Sequence, residues 1–194
     1  MKPLLAAFLG AVAMFVWLMV AHMFTPLGMA GMNYLPGEDA VSSALAASIG
    51  TAPGMYMFPT GGLTKQSSSE EKEKGMQRVM DEMKTKPSGL IVYKPAGSTF
   101  NFGKTLAVEF LTDFALALIA VLLLAQTRIG TFAGRVGFVV LLGVLAAIAS
   151  NVPYWNWYGF PGTYALASMF TGIVAMFFAG LVIAAVYKPA AIDR

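Results

Sequence analysis

Glu109 and Asp113 are the residues on which chemistry could rest. They stand four apart in LAVEFLTDFALALIAVLLLA (106–125), a stretch otherwise fit for lipid, so they share one helical face. Two carboxylates so placed repel each other's charge and resist double ionisation. A charged Asp at the bilayer centre costs roughly 2.5–3.5 kcal/mol on insertion scales, and less towards the interface. Both acids should therefore face a bundle interior or a wet cavity, and Thr112 extends the same polar face. The pattern suits a proton or cation site, or a polar ligand pocket. The simpler competing reading is a structural hydrogen-bond cluster with Glu109 at the water boundary.

His22, in MVAHMF, would lie at a depth similar to Glu109 once helices pack. A His–Glu–Asp trio could ligate a divalent metal or pass protons near neutral pH. An interfacial histidine bonded to a backbone carbonyl, or to one of the acids, accounts for the same residue. The chain has 13 methionines, and Met19, Met23, Met29, Met32, Met55 and Met57 fall at or beyond the same membrane face. Thioethers select Cu(I), which makes Met19, His22, Met23, Met55 and Met57 an alternative metal set. Methionine also fills gaps in apolar packing, so no metal and no cofactor is assigned.

The elements that must position these groups follow from composition. The chain has 194 residues, 57% of them hydrophobic and 12% charged, with mean hydropathy +0.68. Soluble domains carry about twice that charge fraction. The net charge of +3 is small and scattered, which argues against nucleic-acid binding. With no cysteine, disulfides and thiol chemistry are excluded, and the single histidine excludes a multi-His metal site in one chain.

Four apolar runs meet the length of roughly 17–25 residues that a bilayer span needs: Pro3 to Phe24, Thr105 to Gln126, Val136 to Val152, and Tyr164 to Tyr187. Lys2 gives the first run the look of a signal peptide, yet its length exceeds the roughly 7–15 residues of such a segment and no small-x-small cleavage site follows. It reads as an uncleaved anchor. Lys2, Arg128, Arg135, Lys188 and Arg194 all fall on one side of a four-span chain, and the loop 151–163 has no charge. The positive-inside rule places that basic side, with both termini, in the cytoplasm. The expected fold is an all-α membrane protein: a four-transmembrane-helix bundle with a small α+β extracytoplasmic insert. Residues 1–24 would be the first helix, 25–104 the insert, and 105–194 the remaining three helices with a cytoplasmic tail. The insert's eight basic and seven acidic residues carry no weight in orientation, because long loops translocate regardless of charge.

Within the insert, Val41, Leu45 and Ile49 stand at four-residue spacing behind Asp39, a candidate N-cap, which predicts a short amphipathic helix. A second helix follows in 67–89, with Met76, Val79, Met80 and Met83 on one stripe. Overlapping capping boxes precede it, Ser67 with Glu70 and Ser68 with Glu71. Gly75 should weaken it and Pro87 end it. PGMYMFPTGG (53–62) and SGLIVYKPAG (88–97) echo one another as short strands bounded by turn formers. Their pairing would make a ribbon with the 67–86 helix inserted between its strands.

PYWNWYGFPG (153–162) is the most distinctive string. Tyr154, Trp155, Trp157 and Tyr158 fit the aromatic belt at a membrane–water boundary, with Asn156 polar among them. Pro153 and Pro161 stiffen the loop, and Gly159 permits an unusual backbone angle. The string serves as an anchor, or as a docking surface above the acids. Small residues at helix-packing spacing (Gly137 and Gly143; Ser168 with Gly172, Ala175 with Ala179, Gly180 with Ala184) would let helices approach closely, within one chain or between two copies.

FVWLMVAHMFTPLG, LPGEDAV, PGMYMFP and PYWNWYGFP together resemble a group of bacterial inner-membrane proteins of uncharacterised function. The resemblance spans most of the chain but not the helix 69–83. It implies a bacterial inner-membrane protein and lends no mechanism.

No GxSxG, HExxH, Walker-type loop or Rossmann fingerprint occurs, so an enzyme is not expected. The leading expectation is an accessory or structural subunit. It would contact membrane lipid and bind a protein partner, or a second copy, through the insert and the aromatic loop. The alternative is a small proton- or cation-coupled transport protein using Glu109, Asp113 and His22. A membrane-embedded lipid enzyme is a third possibility, and it would need a wet cavity reaching both acids.

Overall fold

A computed structural model describes residues 2–189. The chain is mostly helical, and the helices are α1 (Lys2–Phe24), α2 (Glu38–Ile49), α3 (Ser69–Met83), α4 (Phe102–Ala125), α5 (Phe132–Tyr158) and α6 (Gly162–Val186). Two strands, β1 (Gly54–Phe58) and β2 (Gly89–Tyr93), flank α3 in sequence. Four helices, α1, α4, α5 and α6, are long and apolar enough to cross a membrane, so the chain is a multi-pass membrane protein. These four form one compact unit, and Tyr34–Phe100 forms a second. Arg194, counted among the tail's basic residues, lies outside the described residues.

In the helical unit α1 packs against α4 on one side and α6 on the other, and α5 packs against α6. Neighbours run antiparallel, as the pairings of Gly10 with Ile183 and of Gly180 with Val136 and Val139 require. Small residues make these approaches possible. Ala6, Ala7, Gly10 and Ala11 are the buried face of α1. The α5 backbone passes so near Met176 at Gly143 that a Cβ there would come within 2.7 Å of the Met176 Cβ. Ala175, Ala179, Gly180 and Ala184 are likewise buried within the chain, whereas Gly137 is exposed and touches nothing. In lipid no hydrophobic force draws helices together, so this tight packing is what holds them. The α4–α5 seam is different: α4 meets α5 and α6 only sparingly. The four helices form an open arc rather than a closed ring.

Two polar devices reinforce the arc. The indole Nε1 of Trp17 donates to the Thr171 carbonyl at 2.9 Å, tying α1 to α6. Arg135, only 7% exposed, donates to the carbonyls of Gly130 at 2.6 Å and Ala184 at 3.0 Å. A guanidinium there satisfies a carbonyl at the end of α6 and complements its dipole.

The third span overruns its expected end. The sequence reading closes it at Val152 and takes 153–162 as a loop, but α5 continues through Pro153 to Tyr158. Beside Pro153, the Ser150 hydroxyl and the Asn151 amide donate to the Ala146 and Ala147 carbonyls. Gly159 then stops the helix in the left-handed conformation, φ 70°.

The second unit is built by turns and local bonds. β1 and β2 pair antiparallel, Gly54 opposite Tyr93 through Phe58 opposite Gly89. The Tyr56 and Tyr93 rings meet edge-on at 6.3 Å, and their hydroxyls donate to the Ala52 and Gly50 carbonyls. Three expectations are corrected here. Gly37, not Asp39, is the N-cap of α2, in the left-handed conformation at φ 67°. Only the Ser68–Glu71 capping box forms, because the Ser67 hydroxyl instead accepts from Thr64 N–H in the preceding turn. Gly75, expected only to weaken α3, is where the helix packs: it is buried against Leu63, whose side chain leaves no room for a Cβ. The Met76, Met80 and Met83 stripe is exposed, because the glycine side of α3 makes this contact.

Candidate intramembrane carboxylate site

A cavity of about 650 Å³ lies along the α4–α5 seam, with α1 and α6 as its floor. Asp113 lines it and is 2% exposed, and its Oδ2 has no hydrogen-bond partner among the described residues. Glu109, one turn away on the same face, lines the same cavity and is exposed. Thr112 also lines it, but its hydroxyl donates back to the Val108 carbonyl at 2.9 Å and so offers no donor to Asp113. The acids are therefore no closed hydrogen-bond cluster: Asp113 lines the cavity with one carboxylate oxygen buried and without a partner among the described residues. Such a group is costly unless something else supplies its partner.

The polar lining is confined to one end. Ser150 and Asn151 of α5 and Ser168 of α6 join the acids near the Tyr158 end of the bundle. Towards the Arg135 end the wall is apolar: Leu116, Ile119, Leu123, Leu142 and Met176. Ser150 and Asn151 escaped the sequence reading as site residues, and Ser168 entered it only as a small packing residue, although polar side chains inside a span are themselves the signal.

His22 lies beside this site rather than in it. Its Nδ1 is 2.9 Å from the Leu18 carbonyl of its own helix, the simpler arrangement foreseen for it. It lines a cavity of about 290 Å³ that Glu109 also lines, and another of about 300 Å³ with Tyr164 and Ser168. The latter shares Leu18, Ser168 and Gly172 with the large cavity. Glu109 thus stands between His22 and Asp113, and titratable or polar groups lead from the bundle end towards Asp113 and stop there.

His22, Glu109 and Asp113 do not assemble as a metal ligand set. Among the described residues no three His, Cys, Asp or Glu side chains come together as a ligand set. Met19 and Met23 line the small cavity with His22, while Met55 and Met57 belong to β1 in the other unit. The aromatic residues form the end of α5. Tyr154 stacks on Phe160 at 5.2 Å and meets Tyr158 at 5.7 Å. Trp155, Asn156 and Trp157 project outward, Trp157 being 80% exposed. Comparison of the chain with known protein families, with curated proteins and with solved structures gave no match.

Proposed function

We propose that this chain is a non-enzymatic protein of a bacterial inner membrane that binds a proton or cation at Asp113 and Glu109, as the working site of small proton- or cation-coupled transport. The observation that carries this reading is Asp113 itself, buried, with one oxygen unpartnered on the wall of a sizeable cavity. A carboxylate in a membrane interior is expensive and usually marks an ion or proton path. With both termini cytoplasmic, the polar end of the cavity faces outward, and the approach past His22 and Glu109 loads the site from that side. The sparse α4–α5 seam is the place where the arc can open and close.

Reconstituted proteoliposomes carrying a pH-sensitive dye test this reading. Asp113→Asn and Glu109→Gln should each abolish ion-coupled proton movement while thermal stability holds or rises, since each removes an unpaired acid. Lost stability with unchanged flux would return both acids to a structural role.

A second reading, the accessory or structural subunit, rests on a different observation. Trp155, Trp157 and Tyr158 are exposed at the end of α5. One face of the ribbon carries Met55, Met57 and Val92 uncovered. Exposed apolar and aromatic groups of this kind mark protein or membrane contacts. Native purification that yields this chain alone, without self-association, would count against it.

A further inference from the structure

We infer that the ligand of the large cavity is an organic cation with an apolar body. This rests on the reading of Asp113 and Glu109 as a cation site and adds the class of cation.

The lining selects by elimination. Among the described residues its only charged side chains are Glu109 and Asp113, and α1, α5 and α6 contribute no titratable group to it. An anion is therefore repelled. A hydrated inorganic ion would find oxygens only at the polar end and an otherwise dry wall, with no second shell to replace its water. A sugar or other polyol would leave most of its hydroxyls unpaired against Leu116, Ile119, Leu123 and Met176. A cation bearing aromatic or aliphatic groups satisfies both ends at once. Its charge meets the Asp113 and Glu109 carboxylates that line the polar end, and its body fills the leucine-lined part. The cavity's size, about 650 Å³, suits this, because drug-sized ligands occupy about 300–1,000 Å³ of mostly apolar space with a few convergent polar groups.

The open arc supplies the route. Leu116, Ile119 and Leu123 of α4 and Leu145 of α5 line the cavity and are exposed. In a membrane the seam between them opens to hydrocarbon, where an apolar cation partitions. A second copy of this chain is a poorer occupant, since the exposed lysines of its spans, Lys2 and Lys104, stand in the first turns of α1 and α4 rather than at mid-span, where Asp113 lies.

Equilibrium binding of tetraphenylphosphonium to the full chain in phosphatidylcholine nanodiscs tests the inference. Saturable binding should weaken as pH falls, because protons compete with the cation for the buried Asp113 carboxylate. Tetramethylammonium, which has the charge without the body, should bind at least about tenfold more weakly. Asp113→Asn should lose at least about tenfold in affinity, and Asp113→Glu should recover part of it. Leu145→Trp narrows the apolar part without touching an acid. It should abolish tetraphenylphosphonium binding while infrared spectroscopy still detects proton uptake at Asp113.

Binding that is absent, or equal in Asp113→Asn, overturns the inference. If Asp113 still titrates, the cation site survives with a smaller ion as its ligand; if it does not, both readings fall. A stoichiometric second polypeptide that shields a cysteine placed at Leu145, in this cysteine-free chain, also overturns it, by giving the seam to a partner helix.

Discussion

The bundle and the insert solve the same problem by opposite means. In α1, α4, α5 and α6 close contact of small residues buries a continuous core from Ala6 to Ile183, and the leucines left outside are solvated by lipid. In 34–100 only Gly61 and Gly75 are buried. That unit is held by a capping box, two tyrosine hydroxyls and a two-stranded ribbon, which is marginal alone. Stability therefore resides in the helical unit, and local order in the insert depends on single polar contacts.

Substitutions can break or sharpen this contrast. The largest effect is expected from Gly180→Leu, whose side chain would meet the Val136 carbonyl and Val139. Overpacking of this kind costs about 3 kcal/mol, read as a large fall in thermal midpoint in detergent. Arg135→Leu leaves the Gly130 and Ala184 carbonyls without their donor and should cost about 2 kcal/mol. In the insert, Ser68→Ala removes the cap of α3. It should cost about 1 kcal/mol locally, seen as faster amide exchange in α3 with an unchanged global midpoint.

Within the insert, a pH effect on stability should be confined to the same helix. The Ser68 N–H, at 2.7 Å, and then the Ser68 side chain hold the Glu71 carboxyl below its ordinary 4.5. A carboxylate held low stabilises fully above its unfolded value and loses that contribution as pH falls through the folded one. Exchange protection of α3 should thus be flat near neutrality and decline below pH 4.5, and Glu71→Gln should remove the decline. The smallest effect belongs to Met57→Ser on the open ribbon face, within about 0.5 kcal/mol. A large loss there would mean that the insert has a core of its own.

The spans were legible because lipid demands long uninterrupted apolar runs, and α1, α4 and α6 end within three residues of the expected bounds. The ribbon was legible from the glycine and proline punctuation around 54–58 and 89–93. Capping was half legible: two serines offered equivalent boxes, and the turn at Thr64 decided between them. The end of α5 lies beyond the expected bound because Pro153 reads as a breaker, yet the helix carries it and stops only at Gly159.

Residue type and spacing alone determined that the chain enters a membrane, and that Glu109 and Asp113 share a face within it. Hydropathy and helical periodicity are local properties, which a single segment carries in full. Tertiary structure alone decided that Asp113 is buried while Glu109 stays open. It also placed His22 on a neighbouring cavity and left α4 and α5 parted around a void. Those outcomes depend on which small residues of distant helices meet, and only the packed chain brings them together.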